Sequence, residues 1–307
     1  MDSTKQSHAL LKRHPGRTPA ELFIRLVLLL LSAISILTTL AVIGVLAKEV
    51  LGFFSKVPLV EFLSSTEWTP LFSDPHYGIL PLLSGTLWVT LIALCVSLPL
   101  GIGAAIYLSE YAPTKMRFWI MGILEVLGGI PTVVFGYFAL LFITPLLQKV
   151  IPGLQLFNPL SAGLVLGFAI LPYISNIAAD AMQAVPKAMR EAAYGLGATQ
   201  LEVTLKVVVP ASISGIVAAF ILATSRAIGE TMIVALAAGQ RPIWTFDPRE
   251  TIATMTSYIV QAATGDQAAG SVASQALFAV GATLFVLTLG LNLVAQRVVR
   301  RYQEKYE

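Results

Sequence analysis

Two ionisable residues, Arg226 and Glu230, lie four positions apart within an apolar segment. A charged group inside a bilayer is costly unless it is paired or wetted, so such residues indicate a functional path. On a continuous helix the two share a face, about 6 Å apart along the axis, and we expect them to form an ion pair. A guanidinium also matches a tetrahedral oxyanion with two parallel donors. The sequence therefore predicts an anion pathway in which Glu230 holds Arg226 when no anion is present. The alternative is a purely structural ion pair.

The predicted pathway extends beyond this pair. Ser225 and Thr231 flank it in the same short stretch. In another apolar segment Gly129 and Pro131 interrupt the helical pattern, which predicts a kink or half-helix lining the pathway, or alternatively a simple packing bend. Glu125, about one turn before the glycine, is the remaining candidate for the pathway.

Composition indicates that these residues lie in a membrane protein. Hydrophobic residues make up 56% of the 307 positions and charged residues only 12%, too few to solvate a globular surface. A hydrocarbon core about 30 Å thick needs about 20 apolar residues in a helix, and six segments reach that length. They are residues 22–47, 80–108, 118–147, 162–184, 211–238 and 272–294. The predicted fold is an all-α, polytopic bundle of six transmembrane helices.

The distribution of Lys and Arg predicts the orientation of the bundle. The two termini and the segments after the second and fourth spans hold 14 of the 20 Lys and Arg residues, and such an excess marks the cytoplasmic side. Both termini are therefore predicted to be cytoplasmic. We expect residues 1–20 to form a flexible cytoplasmic arm and residues 21–307 a transmembrane domain with a cytoplasmic loop at about 185–210. The basic residues form no stripe of the kind that binds nucleic acid.

The long cytoplasmic loop predicts a short helix that another protein can contact. Pro186 suits the first turn of a helix and Gly197 suits its end, and a second short helix leads to the membrane. Small alanines allow another surface to approach closely, with charges around them. The residues expected to make this contact are Arg190, Glu191, Ala192, Ala193, Gly197 and Pro210. The alternative is an amphipathic linker resting on lipid headgroups.

Several chemical motifs are missing from the sequence. It contains no G-x-x-x-x-G-K-[ST] pattern to hold nucleotide phosphates. It contains no H-E-x-x-H or C-x-x-C pattern either, so neither a metal site nor a catalytic residue is predicted. We expect any ATP to be consumed by a different subunit.

The cytoplasmic loop resembles the EAA loop of ABC-importer permeases, whose pattern is E-A-A-x3-G-x9-I-x-L-P. Here Glu191-Ala-Ala193, Gly197 and Val207-x-Val-Pro210 keep that spacing, with valines in place of isoleucine and leucine. Three further stretches resemble the phosphate importers of this superfamily, and their PstC-type permease in particular. They are Ser225-Arg-Ala-Ile-Gly-Glu-Thr-Met232, Gly129-Ile-Pro-Thr-Val-Val-Phe-Gly136 and Thr66-Glu-Trp-Thr-Pro70. The resemblance covers most of the chain from the first span onward.

This resemblance implies a type I (MetI-like) importer fold in the bacterial cytoplasmic membrane. It implies a second, PstA-type permease subunit, two copies of an ATP-binding subunit and an outer phosphate-binding protein. ATP and Mg would be used by the ATP-binding subunit, this chain would bind no cofactor, and its surroundings would be lipid. The loop would be the coupling helix that docks on the ATP-binding subunit.

Two alternative functions remain. A permease for another oxyanion, sulfate or molybdate, would share the same coupling loop. An ion-coupled carrier in which Glu230 or Glu125 titrates would need no ATPase.

Overall fold

The chain, described by a computed structural model over residues 19–302 apart from 71, 73 and 269, is helical. The predicted arm, residues 1–20, lies almost entirely outside this range. Within the described range the one β-type pairing is an isolated antiparallel bridge between Trp68 and Tyr77. The all-α prediction is confirmed.

Most helices follow one another with short connections, the longer ones being residues 65–79 and 238–254, and single π-helical turns occur at 107–111, 139–143 and 204–208. In chain order they are α1 (Pro19–Phe54), α2 (Leu59–Ser64), α3 (Leu80–Ile106), α4 (Thr114–Gly129), α5 (Thr132–Phe138), α6 (Thr144–Gln148), α7 (Pro159–Gln183), α8 (Lys187–Gly195), α9 (Gln200–Val203), α10 (Val209–Ala211), α11 (Ile213–Gly229), α12 (Met232–Ala237), α13 (Met255–Thr264) and α14 (Val272–Tyr302). The contacts between residues divide the chain into two compact units, with the boundary after Leu51. The helix packing lies within the unit that begins at Gly52.

The described residues contain up to six candidate membrane spans. Four of them, which contain α1, α3, α7 and α14, are long and apolar enough to cross a bilayer unbroken. The other two are bent pairs: α4 with α5 and α6 at 89°, and the α9–α10 stretch with α11 at 67°. The count matches the sequence prediction, provided that each bent pair crosses once.

The third span breaks at the predicted place. Helix α4 ends at Gly129, and Ile130 and Pro131 are extended, with ψ values of 130° and 134°. Pro131 has no N–H to continue the helix, and its ring disfavours helical geometry at Ile130. The predicted kink is therefore a complete interruption of the helix.

The fifth span is also interrupted, which the sequence analysis did not predict. Helix α11 ends at Gly229 after 17 residues, Glu230 is extended with ψ 131°, and α12 begins at Met232. The expectation of one continuous helix over residues 211–238 was wrong. Seventeen residues rise about 25 Å, close to the lower limit for a span.

Close packing of α3 on α7 provides the scaffold for both broken spans. A Cβ added at Gly163 of α7 would lie 2.7 Å from Cβ of Ile92, and one added at Gly101 of α3 would lie 2.7 Å from Cγ2 of Ile174. Small residues let the backbones of membrane helices approach closely, so that van der Waals contacts replace the hydrophobic drive that lipid does not supply.

Aromatic rings hold the outer segment that follows α1. Trp68 is 1% exposed, and its ring lies edge-on to that of Tyr258 of α13 with centroids 4.9 Å apart. Phe53, Phe62 and Tyr77 join the same cluster through further edge-on contacts. The Thr66–Pro70 stretch is thereby fixed against the loop that follows the fifth span.

Gly101→Leu tests the α3–α7 contact. Overpacking at this position should cost about 1–3 kcal/mol, because Ile174 has to move. Gly103, two residues along the same helix, has no atom within 4 Å of an added Cβ, so Gly103→Leu is the matched control. Thermal unfolding of the purified chain in detergent should show a lower midpoint for Gly101→Leu alone. Equal midpoints for the two variants would contradict this packing.

Candidate functional site

Arg226 lies in the last turn of α11 and is exposed in the isolated chain. Its guanidinium carbon is 4.2 Å from the centre of the Tyr173 ring of α7. A cation over an aromatic face gains about 0.5–2 kcal/mol and keeps its charge, because the ring carries no formal charge to neutralise it. The arginine is thus oriented without being neutralised.

Glu230 does not pair with Arg226 as the sequence predicted. The salt bridges of the described residues do not include this pair. One Glu230 carboxylate oxygen accepts from the backbone N–H of Met232 at 3.2 Å and of Ile233 at 3.5 Å. The prediction was wrong because it assumed a continuous helix, whereas the chain turns at Glu230 and the carboxylate caps α12.

The backbone at the break has other partners as well. The Glu230 carbonyl accepts from the Thr256 hydroxyl of α13 at 2.7 Å. The Thr231 hydroxyl donates to the Gly229 carbonyl at 3.2 Å. Side chains therefore make the hydrogen bonds that these backbone groups lose where the helix ends. Such replacement is needed because the membrane interior offers no water as a partner.

Ser225 contacts a residue that the sequence analysis missed. Its hydroxyl donates to Oδ1 of Asn292 in α14 at 2.7 Å. A polar asparagine in an apolar span was the available signal, since polar residues in membrane helices bond across to neighbouring helices. Ser225 thus ties the fifth span to the sixth beside Arg226.

Glu125 lies apart from these contacts. It is exposed on α4, and the ion pairs among the described residues do not involve it. A Cβ added at Gly128, one turn later, would be 3.9 Å from Cβ of Pro172, the neighbour of Tyr173. The broken end of α4 and Arg226 therefore approach the same stretch of α7, although Glu125 and Arg226 do not pair.

The two short helices that follow the breaks pack on each other. A Cβ added at Gly136 of α5 would lie 2.8 Å from Cδ1 of Leu236 and 3.1 Å from the carbonyl oxygen of Met232, both in α12. The third and fifth spans are thus interrupted in the same way, and their second halves meet. We call the Ser225–Thr231 stretch with Tyr173 and Asn292 the central site.

The loop at about 185–210 forms the two short helices that the sequence predicts. Helix α8 follows Pro186 and ends at Gly195, and Gly197 has φ +85°, a conformation that favours glycine. Glu191 and Ala192 are exposed, Ala193 packs partly against buried side chains, and Leu196 is 91% exposed. After the second helix, Pro210 lies in α10 just before the fifth span. An apolar, small-residue surface is therefore presented away from the bundle.

Arg190 points differently from the rest of the loop. Its guanidinium donates to the carbonyls of Val185 at 2.6 Å and Met182 at 2.7 Å, and pairs with Glu110 at 3.1 Å. Arg190 is thus held by its own chain, whereas the sequence analysis grouped it with the surface charges. Glu110 was missed because only the folded chain brings it near the loop.

The second half of the loop has its own capping interaction. Thr199 and Glu202 form a reciprocal cap of α9, and Lys206 pairs with Glu202 at 3.1 Å. The Thr199 N–H, followed by Lys206, lowers the pKa of Glu202 from 4.5 to about 2. The stabilisation that the ionised Glu202 cap contributes is therefore fully present above about pH 4.5. It is lost as the pH falls toward about 2 and the carboxylate is protonated.

Comparison with known proteins decides the family. The family of binding-protein-dependent transport system inner membrane components matches residues 97–304, which include the central site and the cytoplasmic loop. The chain belongs to this family. As a permease of this kind it is a transport subunit that works with an ATPase and a substrate-binding protein.

Several curated relatives are similar over most of the permease. The probable ABC transporter permease protein YqgH of Bacillus subtilis is 36% identical, covering 75% of this chain and 74% of its own length. The phosphate transport system permease protein PstC of Mesorhizobium japonicum is 35% identical, covering 78% of each. PstC of Haemophilus influenzae is 33% identical, covering 88% of this chain and 91% of its own length. The permease is therefore homologous to PstC proteins.

Solved structures confirm the fold of the permease. A chain of a bacterial alginate ABC transporter superposes with TM-score 0.64 at 17% identity, covering 93% of this chain and 98% of its own length. A chain of the MetNI methionine ABC transporter, solved facing inward, gives TM-score 0.54 at 18% identity, covering 74% and 95%. The MetI-like permease fold predicted from the sequence is confirmed.

Replacing Glu230 separates its capping role from the charge pairing expected from the sequence. Glu230→Ala leaves the N–H groups of Met232 and Ile233 without their acceptor, which should cost about 1–3 kcal/mol of stability. Glu230→Gln retains an acceptor oxygen and should cost less. Thermal stability and membrane abundance of the permease provide the measurement. An equal loss in both variants would favour charge pairing and contradict the capping role.

Proposed function

We propose that this permease carries inorganic phosphate inward through an ATP-driven importer of the cytoplasmic membrane. The observation that carries the proposal is the arginine of the central site, which lies on an aromatic ring and forms no salt bridge with a carboxylate of the described residues. An oxyanion crossing the bilayer needs a temporary positive charge, and a guanidinium supplies it with two parallel donors. The homologous PstC proteins, named as phosphate permeases, support phosphate as that oxyanion.

Glu230 has a different part in this proposal from the one that the sequence suggested. Its carboxylate caps α12 and keeps the break in the fifth span in place. Arg226 is then available to the anion without first leaving a carboxylate. Ser225 and Thr231, each with a hydroxyl at this break, are the further groups that we place along the pathway, and Glu125 lies at its edge.

The importer that we propose has several subunits. A second permease of the PstA type completes the pathway beside the exposed side of Arg226, and an outer binding protein delivers phosphate. Two copies of the ATP-binding subunit dock on α8 and its counterpart, and they use ATP and Mg, for which this chain carries no nucleotide motif. Both termini of the chain lie in the cytoplasm, as the distribution of Lys and Arg indicates.

Transport in this proposal alternates between two states of the permease pair. ATP binding brings the two coupling helices together and opens the pathway outward, and hydrolysis resets it. The permease supplies a two-state path, and its partners bias the equilibrium between the states.

Arg226→Ala should abolish uptake of radiolabelled phosphate while the complex remains assembled in the membrane. Arg226→Lys keeps the charge without the fork, so its uptake should fall between wild type and the alanine variant. Arg249→Ala is the matched control, since it removes an arginine that pairs with Asp247 in the outer loop at 2.6 Å. An exposed pair of this kind is worth about 0–1 kcal/mol, so uptake should stay near the wild-type level.

Competition distinguishes the alternative substrates and carrier classes. Excess unlabelled phosphate should suppress uptake, whereas excess sulfate or molybdate should not. Normal uptake by Arg226→Ala would refute the proposed role of the arginine. Uptake that persists without any ATP-hydrolysing subunit would favour an ion-coupled carrier.

A further inference from the structure

The ion pair between Glu110 and Arg190 is the most buried salt bridge of the described residues. The side chains are 6% and 16% exposed, and Nη2 of Arg190 lies 3.1 Å from Oε1 of Glu110. Glu110 is in the π-helical turn that ends the second span, outside both the E-A-A motif and the central site. Neither the motif nor the proposed pathway accounts for it.

Several elements meet at this pair. Arg190 belongs to α8 and also donates to the carbonyls of Met182 and Val185 at the end of the fourth span. The backbone carbonyl of Glu110 accepts from Nε2 of Gln200, in the second half of the loop, at 2.6 Å. The Ser109 hydroxyl donates to the Glu110 carboxylate at 2.7 Å. The Glu110 carboxylate and the Arg190 guanidinium thus join the inner ends of α3 and α7 to α8, and the Glu110 backbone carbonyl adds a contact to the second half of the loop.

Burial makes this pair a constraint on position. Removing one member of a buried ion pair leaves a desolvated charge without compensation, whereas an exposed pair contributes little. The helix α8 therefore cannot shift away from the end of α3 unless the pair breaks. The Glu202–Lys206 pair of the same loop differs, because its side chains are 44% and 73% exposed and it joins residues four apart.

We propose that Glu110 is a positioning residue that transmits movement of the coupling helix α8 to the second and fourth spans. The inference rests on the proposed function in taking α8 as the surface on which the ATP-binding subunit docks. Helix α7 packs closely on α3 at its glycines and carries Tyr173, on which Arg226 lies. A displacement of α8 passed through Glu110 and Arg190 thus reaches the central site through one rigid pair of helices.

The test measures the number of phosphate ions transported per ATP hydrolysed by the complete importer in proteoliposomes. The variants are Glu110→Gln, Arg190→Gln and the two together. Each single variant should lower the ratio about tenfold, because the remaining buried charge loses its partner and α8 moves independently of α3. The double variant should lower it no further than the more severe single variant, since both changes break the same contact.

Glu202→Gln is the matched control, because it neutralises a glutamate of the same loop whose side chain bonds within the loop, to Thr199 and Lys206. Its ratio should equal that of wild type. A fall as large as that of Glu110→Gln would overturn the proposal, as would normal ratios in both single variants or losses that multiply in the double variant.

Hydrogen exchange covers the case in which a variant assembles poorly. Glu110→Asp keeps the charge and should assemble, and the amides of residues 187–199 should exchange faster in it than in wild type within the complete importer. Unchanged exchange together with a normal transport ratio would overturn the positioning role. A wild-type importer that carries sulfate instead would refute the proposed substrate alone, because the same ratio can then be measured with sulfate.

Discussion

A transmembrane helix that stops inside the bilayer leaves peptide groups without partners, in a medium where no water replaces them. This permease ends two helices within apolar segments that the sequence assigns to spans, after Gly129 and after Gly229. At the second break the Glu230 carboxylate caps the next helix, and Thr256 donates to the Glu230 carbonyl. The remaining organisation of the membrane domain follows from the need to satisfy and support these interruptions.

Using a carboxylate as a cap has an electrostatic consequence. Arg226, one turn before the break, lies on the ring of Tyr173, and the salt bridges among residues 19–302 that the structure describes do not include it. Helix α7 supports both features, since it presents Tyr173 to the arginine and Pro172 to the end of α4. The proposed anion site and the break in the fifth span are thereby built from the same few residues. The C-terminal end of α7 contacts α8 through Arg190, which donates to the carbonyl of Met182.

Local signals in the sequence predicted the helices and their boundaries. Contacts between residues distant in the sequence were not predicted correctly. Apolar segment length located the six spans, and Pro186, Gly197 and Pro131 marked boundaries that the structure keeps, because each acts on its own backbone. The Arg226–Glu230 pair was wrong since four-residue spacing implies proximity only on an unbroken helix. Gly229 was the available signal that the helix ends between the two residues. The hydrogen-bond partners of Glu110 and Asn292 could not be assigned from the sequence because they are distant along the chain.

Chemical accessibility of position 226 tests the central claim most directly. In the complete importer, with Cys95 replaced by serine, a cysteine at position 226 should react with a charged, membrane-impermeant thiol reagent. The rate should differ between the nucleotide-free and ATP-trapped states, because the pathway opens to opposite sides. Gly103→Cys, at an exposed position with no neighbour within 4 Å of an added Cβ, gives the reference outside the central site. If position 226 resists the charged reagent in every state and reacts only with a lipid-soluble maleimide, the arginine does not face an aqueous anion path.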